Sequence, residues 1–542
     1  MLLGAASTYD DLVATFRWNI PSRFNIASVC VDVWARREPD RVALIGWDGA
    51  GALKPTTYGA LGRQSDQLAQ ALAKRGVRCG DRVALLLPQS PETVIGHMAA
   101  YKLGAIAVPL AALFGADALE YRLSASGAKA LIANAAGLTK VREIRPRVPE
   151  LAVVLSTDGP EVGAEGWREA LDDARTPLPT VETAADDPAL MIFTSGTTGQ
   201  PKGALHGHRV LAGHLPGFQF TYGAAAGHGD RMWTPSDWAW AGGLLNALLP
   251  SLFFGIPVIY GPFAPFDPAM ARRLIKEAGA TIAFLPPTAI RMFKVAGPGA
   301  PLGLRAIGSA GESLGRETYE WAREHLGAPV NEFYGQTECN YVIGSAAAYG
   351  VTRAGATGRA IPGHRIAVLD EAGEPAAPGT PGEIAIGVPD PSLFLGYWND
   401  PQATAAKYRD GWLMTGDNGF IDGDGYIRFV GRNDDIITSA GYRIGPAEVE
   451  DCLATHPAVA LAAVVGKPDA LRTEIVKAYV TLKPEFHASA ALAAELREHV
   501  RRRLSAAEYP REVAFVDEIP LTTSGKVIRR VFRERAAKEA DS

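Results

Sequence analysis

One segment of the chain combines the residue types that hold a polyphosphate. The apolar run ALMIF, residues 189–193, leads directly into TSGTTGQPKG, residues 194–203. Glycines let a backbone approach a ligand closely, hydroxyl groups bond phosphate oxygens, and Lys202 adds a positive charge. The segment is not a Walker A loop, because Lys202 lies between Pro201 and Gly203 rather than in the order G-K-[ST]. These residues predict a phosphate-binding loop, and a plain polar loop is the alternative.

An α/β framework is predicted to position this loop. Leu61, Leu68 and Leu72 recur at helical spacing within a helix predicted over residues 58–75. The run RVALLLP then reads as a buried strand, residues 91–102 as a second helix, and AIAVPL as the next strand. Alternating strands and helices indicate a sheet flanked by helices.

The pattern changes in the last third of the chain. After Leu369, turn-rich stretches such as DEAGEPAAPGTPGE separate short apolar runs, which is typical of β-hairpins. IDGDGYIRF carries such a turn at Asp424-Gly425. Asp422 and Asp424 lack the further ligands of an EF-hand loop, so we predict a turn there and no calcium site. We expect a fold of the α/β plus α+β class. A large N-terminal domain of layered sheets and helices, with a β-rich subdomain, covers residues 1–432; residues 433–435 form a hinge, and residues 436–542 form a small mobile α+β domain.

Composition excludes several functional classes. A chain of 542 residues is long enough for more than one domain, and its net charge of −5 gives no general reason to expect nucleic acid or an anionic membrane as a partner. The four cysteines form no CxxC pair, and the N-terminus lacks a basic signal region, so we expect a cytoplasmic protein. The uncharged residues 238–266 are interrupted by four prolines, which favours buried core over a membrane span.

Five further motifs follow the glycine-rich loop in order. They are AGESL at 310–314, EFYGQTE at 332–338, GWLMTGD at 411–417, GRNDDIITSAGYRIGPAEVE at 431–450, and PLTTSGK at 520–526. Together with TSGTTGQPKG, the whole chain resembles the adenylate-forming superfamily, and within it the AMP-forming acyl-CoA synthetases, most nearly the medium-chain branch. The resemblance implies a carboxylic acid, ATP and coenzyme A as substrates, Mg²⁺ as cofactor, and a place in fatty acid metabolism.

The resemblance also implies roles for individual residues. Thr337, Glu338 and Lys526 would be catalytic, with Glu338 holding magnesium, Thr337 bonding the α-phosphate, and Lys526 bridging the substrate carboxylate and the α-phosphate. ATP and AMP would be bound by Thr194, Ser195, Gly196, Thr197, Thr198, Gly199, Lys202, Gly311, Glu312, Glu332, Tyr334, Gly335, Gln336, Thr337, Asp417, Arg432 and Arg443. Tyr334 would stack on adenine, and Asp417 and Arg432 would hold the ribose, with a surface salt bridge as the alternative for that pair.

In this family the small domain turns between the two half-reactions, and Asp434 matches the hinge position. Coenzyme A would then be bound by Ala440, Gly441, Tyr442 and Arg501. For Arg501, a place on a solvent-exposed helix face without a binding role is nearly as good an interpretation. PLTTSGK also fits P-x-x-x-x-G-K, a pattern in which such lysines are acylated. A lysine acyltransferase or deacylase acting on Lys526 is therefore a candidate partner. No oligomeric state is predicted.

The size of the acyl pocket follows from the same resemblance. Acetate-specific relatives have Trp at the position of Gly335 and bulkier residues at Ala241, Gly242 and Ala310, and Trp240 would form a wall. Four small residues predict a pocket for medium-chain, branched or aromatic acids. Each buried methylene contributes ~0.8 kcal/mol to binding of the acid, so such a pocket discriminates between neighbouring chain lengths only by modest factors.

Two alternatives stay open. An adenylating enzyme could pass the acyl group to an acceptor other than coenzyme A, although the segment 440–443 favours coenzyme A. A non-catalytic binding module on the same fold would be expected to lose the lysine or the acidic residues, and Lys526, Asp417, Arg432 and Glu338 are all present. A P-loop kinase is excluded by the order around Lys202, and an α/β-hydrolase by the absence of G-x-S-x-G.

Overall fold

The structure is a computed structural model of the chain. It describes residues 1–174, 179–194, 200–223, 229–262, 264–432, 435–439, 442–469, 473–504, 509–522 and 526–540. Of residues 438, 442 and 443 it describes the backbone alone.

Helices and strands alternate through most of these ranges. The helices are α1 (Tyr9–Thr15), α2 (Val33–Arg37), α3 (Tyr58–Lys74), α4 (Pro91–Lys102), α5 (Ala116–Ser126), α6 (Ala135–Ile144), α7 (Trp167–Asp172), α8 (Val210–Tyr222), α9 (Ala241–Gly243), α10 (Leu249–Phe254), α11 (Pro268–Ala278), α12 (Pro287–Val295), α13 (Arg316–His325), α14 (Pro401–Ala405), α15 (Pro446–Ala454), α16 (Ala490–Arg503) and α17 (Arg529–Ala540). Short π-helical turns cover Ser28–Asp32 and Leu244–Leu248, and 3₁₀ turns cover Arg145–Arg147 and Ala347–Tyr349.

The strands are β1 (Val42–Trp47), β2 (Leu53–Thr57), β3 (Arg82–Leu86), β4 (Ile106–Pro109), β5 (Ala128–Ala133), β6 (Val153–Ser156), β7 (Glu165–Gly166), β8 (Pro188–Phe193), β9 (Gly203–Gly207), β10 (Met232–Trp233), β11 (Val258–Tyr260), β12 (Ile282–Phe284), β13 (Ala306–Ser309), β14 (Val330–Tyr334), β15 (Ile343–Gly344), β16 (Arg359–Ala360), β17 (Ile366–Leu369), β18 (Gly382–Gly387), β19 (Gly396–Tyr397), β20 (Tyr408–Arg409), β21 (Trp412–Ile421), β22 (Ile427–Arg432), β23 (Ile437–Ser439), β24 (Tyr442–Ile444), β25 (Val459–Asp469), β26 (Thr473–Leu482) and β27 (Glu512–Phe515).

Two large, mostly parallel sheets form the centre of the molecule. Within the described ranges one has the order β16-β15-β14-β13-β12-β10-β11-β1-β2, and the other has the order β19-β9-β8-β4-β3-β5-β6-β7. In the first sheet, β1 and β10 to β14 run parallel, and β2, β15 and β16 are antiparallel to their neighbours. Buried parallel strands read as continuous apolar runs, and the strand before the glycine-rich loop, β8, is buried over all but its first residue.

The largest apolar cluster lies between these two sheets. It joins Leu44 and Val258 from one sheet to Val83 and Leu190 from the other, through helices α3, α4, α8 and α10. A second cluster packs α11, α12 and α13 against the outer face of the first sheet, and a third packs α5 and α6 against the outer face of the second. The layers therefore follow the order helix, sheet, helix, sheet, helix.

Two smaller sheets complete the fold. Strands β17, β18, β21, β20 and β22 form a β-rich unit, and β24, β23, β26, β25 and β27 form another sheet, covered by α15 and α16 on one face and by α17 on the other. The β21–β22 hairpin closes with Gly425 at φ +80°, and Arg353 pairs with both Asp422 and Asp424. Those two carboxylates serve the turn, as the sequence predicted.

Several sequence predictions are confirmed by the elements. The helix predicted over 91–102 is α4, capped by the Ser90 side chain on the Thr93 N–H, and the helix predicted over 58–75 is α3, capped by Thr57 and followed by Gly76 at φ +89°. RVALLLP contains β3 and AIAVPL contains β4. The predicted mixture of α/β and α+β architecture is confirmed as well. The domain limits stay a prediction, since Asn433 and Asp434 lie outside the described residues.

The uncharged stretch 238–266 divides into short elements within this framework. It forms α9, a π-helical turn, α10 and β11. Among the helices that the structure describes, none has the length and apolarity needed to cross a membrane.

Candidate active site

A cavity of about 650 Å³ lies at the carboxyl ends of the parallel strands of the first sheet. The residues that follow five of these strands line it: Thr234 after β10, Gly261 after β11, Pro286 beyond β12, Ala310 after β13 and Gly335 after β14. Backbone turns at such strand ends give a concave surface to which several loops contribute, and this is the usual ligand site of open α/β sheets.

Every residue predicted for the acyl pocket lines this cavity. These residues are Trp240, Ala241, Gly242, Ala310 and Gly335. Apolar neighbours such as Phe284 and Phe333 share the wall, and Trp240 packs edge-on against Phe114. Trp238, by contrast, is fully buried and belongs to the core between the sheets.

Gly335 requires a correction to the sequence interpretation. A Cβ built on Gly335 would lie 1.2 Å from the carbonyl oxygen of Asn340 and 2.2 Å from its carbonyl carbon. Any side chain there would collide with backbone and would not extend into the cavity. Gly335 is therefore not a floor that a larger residue could raise. At Gly242, a Cβ would meet only the Phe284 ring, at 3.0 Å, so a larger residue there requires that ring to shift.

A second set of predicted residues gathers around the Asp417 carboxylate. Asp417 lies opposite Arg432 across the β21–β22 pair, and the two side chains approach to 3.8 Å. The Tyr334 hydroxyl donates to Asp417 Oδ2 at 2.7 Å, and the Gln336 amide donates to the same oxygen and to the Thr415 carbonyl. Burial raises the pKa of Asp417, and the Tyr334, Arg432 and Gln336 contacts oppose that rise.

The predicted nucleotide residues divide between the two sides of β14. Gly311, Glu312, Gln336 and Thr337 line the cavity. Glu332 does not: it is buried, its carboxylate accepts the Leu314 N–H at 3.2 Å, and burial raises its pKa to about 7. Successive side chains of a strand point to opposite faces, so the cavity side of β14 is taken by Phe333 and Gly335.

Glu338 and Lys202 meet at Tyr397. The Tyr397 hydroxyl donates to Glu338 Oε1 at 2.5 Å, and the Lys202 ammonium lies 5.1 Å from the centre of the Tyr397 ring and 3.8 Å from Asp400. Thr194 and Lys202 close the two ends of the glycine-rich loop through paired hydrogen bonds, Thr194 N–H to the Lys202 carbonyl at 2.9 Å and Lys202 N–H to Thr194 Oγ1 at 3.3 Å.

Lys526 reaches the same cavity from the C-terminal part of the chain. Its side chain lines the wall that Glu312 and Thr337 also form, although the residue as a whole keeps exposure to solvent. Loss of solvent around the ammonium lowers the pKa of Lys526, the Glu312 and Asp417 carboxylates oppose that change, and Arg432 adds to it. A cation, a carboxylate-rich wall and an apolar pocket therefore share one enclosed space.

Other predicted residues lie outside what the structure describes. Residues Ser195, Gly196, Thr197, Thr198 and Gly199 of the loop are among them, as are Asp434, Ala440 and Gly441. Tyr442 and Arg443 are described as backbone of β24. Arg501 lies on the exposed side of α16, with its guanidinium 3.6 Å from Glu498.

The sequence interpretation missed three residues of this region. Asp237 lines the cavity, accepts the Ala239 N–H at 2.9 Å, and has its pKa raised to about 6 by burial. Gln89 supports the same segment by donating to the Thr234 and Ser236 carbonyls. Asp237 could have been noticed as the charge that precedes the uncharged stretch, whereas the sequence carries no signal for Gln89 or Tyr397.

A divalent cation has a simple candidate ligand here. Within the described part of the chain, no group of three His, Cys, Asp or Glu side chains is arranged to hold a metal ion. Glu338 is a single buried carboxylate that accepts a hydrogen bond from the hydroxyl of Tyr397, whose ring the Lys202 ammonium approaches. Magnesium bound with nucleotides takes one or two carboxylates together with phosphate oxygens, so one glutamate fits that use.

The chain is similar to known proteins over nearly its whole length. The profile of the AMP-binding enzyme family matches residues 31–398, and that of the AMP-binding enzyme C-terminal domain matches residues 448–526. Acyl-coenzyme A synthetase ACSM4, mitochondrial, of Homo sapiens is 34% identical over 558 positions, covering 97% of this chain and 93% of its own.

Two solved structures are similar over nearly the whole chain. An acyl-CoA synthetase of Brucella canis is 37% identical with a TM-score of 0.75, covering 98% of this chain and 100% of its own. The anthranilate CoA ligase AuaEII, in complex with anthranoyl-AMP, is 27% identical with a TM-score of 0.88, covering 96% of this chain and 99% of its own.

The comparisons contradict one prediction from the sequence. The human, rat and mouse relatives are named as mitochondrial acyl-coenzyme A synthetases. They point to the mitochondrion, and the predicted cytoplasmic location is wrong. Cysteine usage, one basis of that prediction, did not separate these two locations.

Proposed function

Because the chain belongs to the AMP-binding enzyme family and is an AMP-forming acyl-CoA synthetase, we propose which residues carry its two half-reactions and which acids it activates. In the first, an oxygen of the acid's carboxylate attacks the α-phosphorus of ATP, and the bond to pyrophosphate breaks. In the second, the sulfur of coenzyme A attacks the acyl carbon, and AMP leaves with the bonding electron pair. The resemblance found in the sequence is confirmed in both its family and its activity.

Lys526 carries the proposal for the first half-reaction. The attacking carboxylate and the α-phosphate are both anions, so a cation is needed between them as the bond forms. Lys526 lines the cavity together with Thr337 and the acyl-pocket residues Ala310 and Gly242. Its ammonium would sit between the two anions, and Thr337 would donate its hydroxyl to the α-phosphate.

The nucleotide would be held by the cluster around Asp417. Tyr334 and Gln336 both donate to the Asp417 carboxylate, which keeps one oxygen oriented, and Arg432 lies beside the other. Asp417 and Arg432 would bond the ribose hydroxyls, Tyr334 would stack on adenine, and the backbone at Gly311 and Glu312 would border the base. Glu332 would act indirectly, by holding the Leu314 backbone beneath that loop.

The triphosphate would lie across Lys202 and the glycine-rich loop 194–199. Both ends of the loop are tied at Thr194 and Lys202, so the loop is anchored on β8 and β9. Magnesium supplies charge neutralisation on the triphosphate when it is bound, and Glu338 is the residue that would hold it. Tyr397 keeps the Glu338 carboxylate oriented from the protein side.

The second half-reaction would use the small domain differently. We place a hinge at Asp434 and the pantetheine passage at Ala440, Gly441 and Tyr442, with Arg443 meeting phosphate. Arg501 remains a candidate for the phosphate of coenzyme A. Lys526 is also a candidate target of a lysine acyltransferase, and mass spectrometry of the protein from its native host that finds Lys526 always unmodified would contradict that.

The acid is proposed to be medium-chain, branched or aromatic, which places the enzyme in fatty acid or aromatic acid metabolism. The observation that supports this is the apolar cavity wall, in which small residues at Gly242 and Ala310 lie beside Phe284, Phe333 and Trp240. The anthranilate CoA ligase, which holds an aromatic acyl-adenylate, has the same fold.

ATP–pyrophosphate exchange against a panel of acids tests the proposal. The panel runs from two to twelve carbons and includes branched and aromatic acids. For each acid, the release of AMP is then measured with and without coenzyme A. We expect exchange to be highest for acids longer than propionate. Highest exchange with acetate would contradict the proposed acid class, and exchange without any thioester product would favour a different acyl acceptor.

A further inference from the structure

One contact between the small domain and the loop that follows AGESL depends on a glycine. Gly315 has φ +74°, and a Cβ built on it would lie 2.3 Å from Asp451 Oδ2 and 3.1 Å from Oδ1. Asp451 belongs to α15, and Gly315 immediately precedes α13. Both carboxylate oxygens of Asp451 therefore lie close to the backbone of the large domain. A side chain at position 315 would occupy the space that this carboxylate fills.

Charged groups from both domains surround this contact. Arg291 on α12 donates to Glu312 Oε2 at 2.9 Å and to the Ser313 carbonyl at 2.8 Å, which fixes the loop before Gly315. The same guanidinium is stabilised by Asp451 and Glu450 from α15. Arg291 thus interacts with carboxylates of both domains and partly offsets the cost of burying Asp451.

The same loop also meets Lys526. Glu312 lines the cavity with Lys526, and its carboxylate is the strongest charge acting on that ammonium. Lys526 and Asp451 are both in the small domain. Asp451 packs on Gly315, and Lys526 lines the cavity together with Glu312, three residues earlier in the same loop. The position of this loop is therefore coupled to the small domain at Asp451 and near Lys526.

We propose that Asp451, seated on Gly315 and facing Arg291, is a positioning residue that holds the small domain where Lys526 reaches the cavity. The contact would serve acyl-adenylate formation and would be absent when the domain has turned for thioester formation. This inference rests on the proposed function, and in particular on the proposed turn of the small domain.

The contact also links the domain orientation to pH. Burial raises the pKa of Asp451 to about 7; Arg291 opposes the rise, and Glu450, Glu312 and Glu317 add to it, with Glu332 nearby. In water an aspartate titrates near ~3.9. The seated orientation therefore binds one more proton between these two values. Its advantage from Asp451 is full below ~3.9, falls as pH rises toward 7, and is lost above 7.

A matched pair of glycine substitutions tests the inference. Gly315→Ala places a Cβ into the Asp451 carboxylate, whereas Gly303→Ala imposes the same backbone strain at φ +72° with no atom within 4 Å of the new Cβ. We expect Gly315→Ala to slow ATP–pyrophosphate exchange by about tenfold or more relative to Gly303→Ala, the size of an overpacking penalty. Conversion of supplied acyl-adenylate and coenzyme A to thioester should stay within about twofold of that control.

Relief of the collision gives the second measurement. Adding Asp451→Ala to Gly315→Ala should restore exchange to the level of Asp451→Ala alone. Asp451→Asn should remove the fall, as pH rises from ~4 to 7, in the ratio of adenylation to thioester formation. Equal rates for Gly315→Ala and Gly303→Ala, equal loss in both half-reactions, or no rescue would overturn the inference. A wild-type enzyme without exchange would instead overturn the proposed function.

Discussion

Lys526 is the residue on which the first half-reaction is proposed to depend most. Lys526→Ala should slow acyl-adenylate formation by ~10²–10³-fold, the usual effect of losing one charge-stabilising group. Thioester formation from supplied acyl-adenylate should persist, because the anhydride bond between the carboxylate and the α-phosphate is already formed in that substrate. The two half-reactions can be followed separately, by pyrophosphate exchange and by thioester release, and equal loss in both would contradict the role.

The environment of Lys526 gives this prediction a pH dependence. The pKa of Lys526 is lowered by loss of solvent, so its charge is present below that pKa and is lost as pH rises through it. Exchange by the wild type should therefore decline at a lower pH than the ~10.4 of an ordinary lysine. Lys526→Arg keeps its charge through this range, and any activity that it retains should lack that decline.

Acid selection at the residue scale is predicted to depend on Ala310 rather than on Gly335. Ala310 is buried and lines the cavity, so Ala310→Leu should fill space that a long acid would occupy. Each methylene excluded should cost ~0.8 kcal/mol, about fourfold in kcat/KM, so octanoate should suffer more than butyrate. Ala310→Ser serves as the size control, and a uniform fall across the acid series would speak against this placement.

The residue scale also shows what the sequence could not supply. That Gly242 and Ala310 border one cavity follows from motif order and was predicted. That a side chain at Gly335 is blocked depends on the path of the backbone at Asn340, five residues later, and no pattern encodes that path. Glu332 could have been placed correctly, because strand alternation separates it from Phe333 and Gly335.

At the scale of elements, a buried lysine joins three helical segments of the large domain. Lys102 at the end of α4 is 1% exposed, and its ammonium lies 2.7 Å from Asp32 in the first π-helical turn and also pairs with Asp66 on α3. Lys102→Ala should destabilise the fold by ~3–5 kcal/mol, because two carboxylates lose their buried partner. Thermal unfolding measures this.

The matched control for Lys102 is Lys74 on α3. Lys74 pairs with Asp173 at 3.3 Å, and both side chains are about half exposed. An exposed pair of this kind contributes ~0–1 kcal/mol, so Lys74→Ala should unfold near the wild-type temperature. If the two variants unfolded together, the buried pair would not have the stabilising role assigned to it.

The proposed hinge belongs to the same scale. Asp434→Pro fixes φ near ~−65° and should restrict the turn of the small domain. Adenylation should then remain and thioester formation should be blocked, which the same pair of assays would show. Asp434→Ala is the control, since it keeps the backbone free, and a proline variant competent in both steps would contradict the hinge.

Elements were largely predictable from local signals. Helices α3 and α4 begin at Thr57 and Ser90 caps, and the short apolar run after each helix favours a buried strand. The order of strands in the two large sheets was not predictable, because pairs such as β1–β11 and β9–β19 join segments far apart in the chain. The joining of β10 to β14 into one cavity wall depends on that order.

At the scale of the whole molecule, burial separates the four cysteines. Cys30, Cys339 and Cys452 are buried, and Cys79 is exposed. Burial raises the pKa of Cys30 well above its usual value and that of Cys452 to about 11, which keeps both as unreactive thiols. Iodoacetamide should therefore label Cys79 first in the native protein and all four cysteines after unfolding, as mass spectrometry would report. Equal native labelling of Cys339 and Cys79 would contradict this burial.

The β21–β22 hairpin has a consequence for sensor design. Arg432, opposite Asp417, ends β22 and directly precedes the proposed hinge at residues 433–435, so the proposed crossing to the small domain starts beside the proposed ribose site. If the small domain turns as proposed, the hairpin that carries the proposed nucleotide-binding residues Asp417 and Arg432 also leads directly into the hinge that sets the angle of the small domain. A donor fluorophore before this hairpin and an acceptor on α16 would then convert acid activation into an optical signal, and the enzyme could report its own substrate in real time.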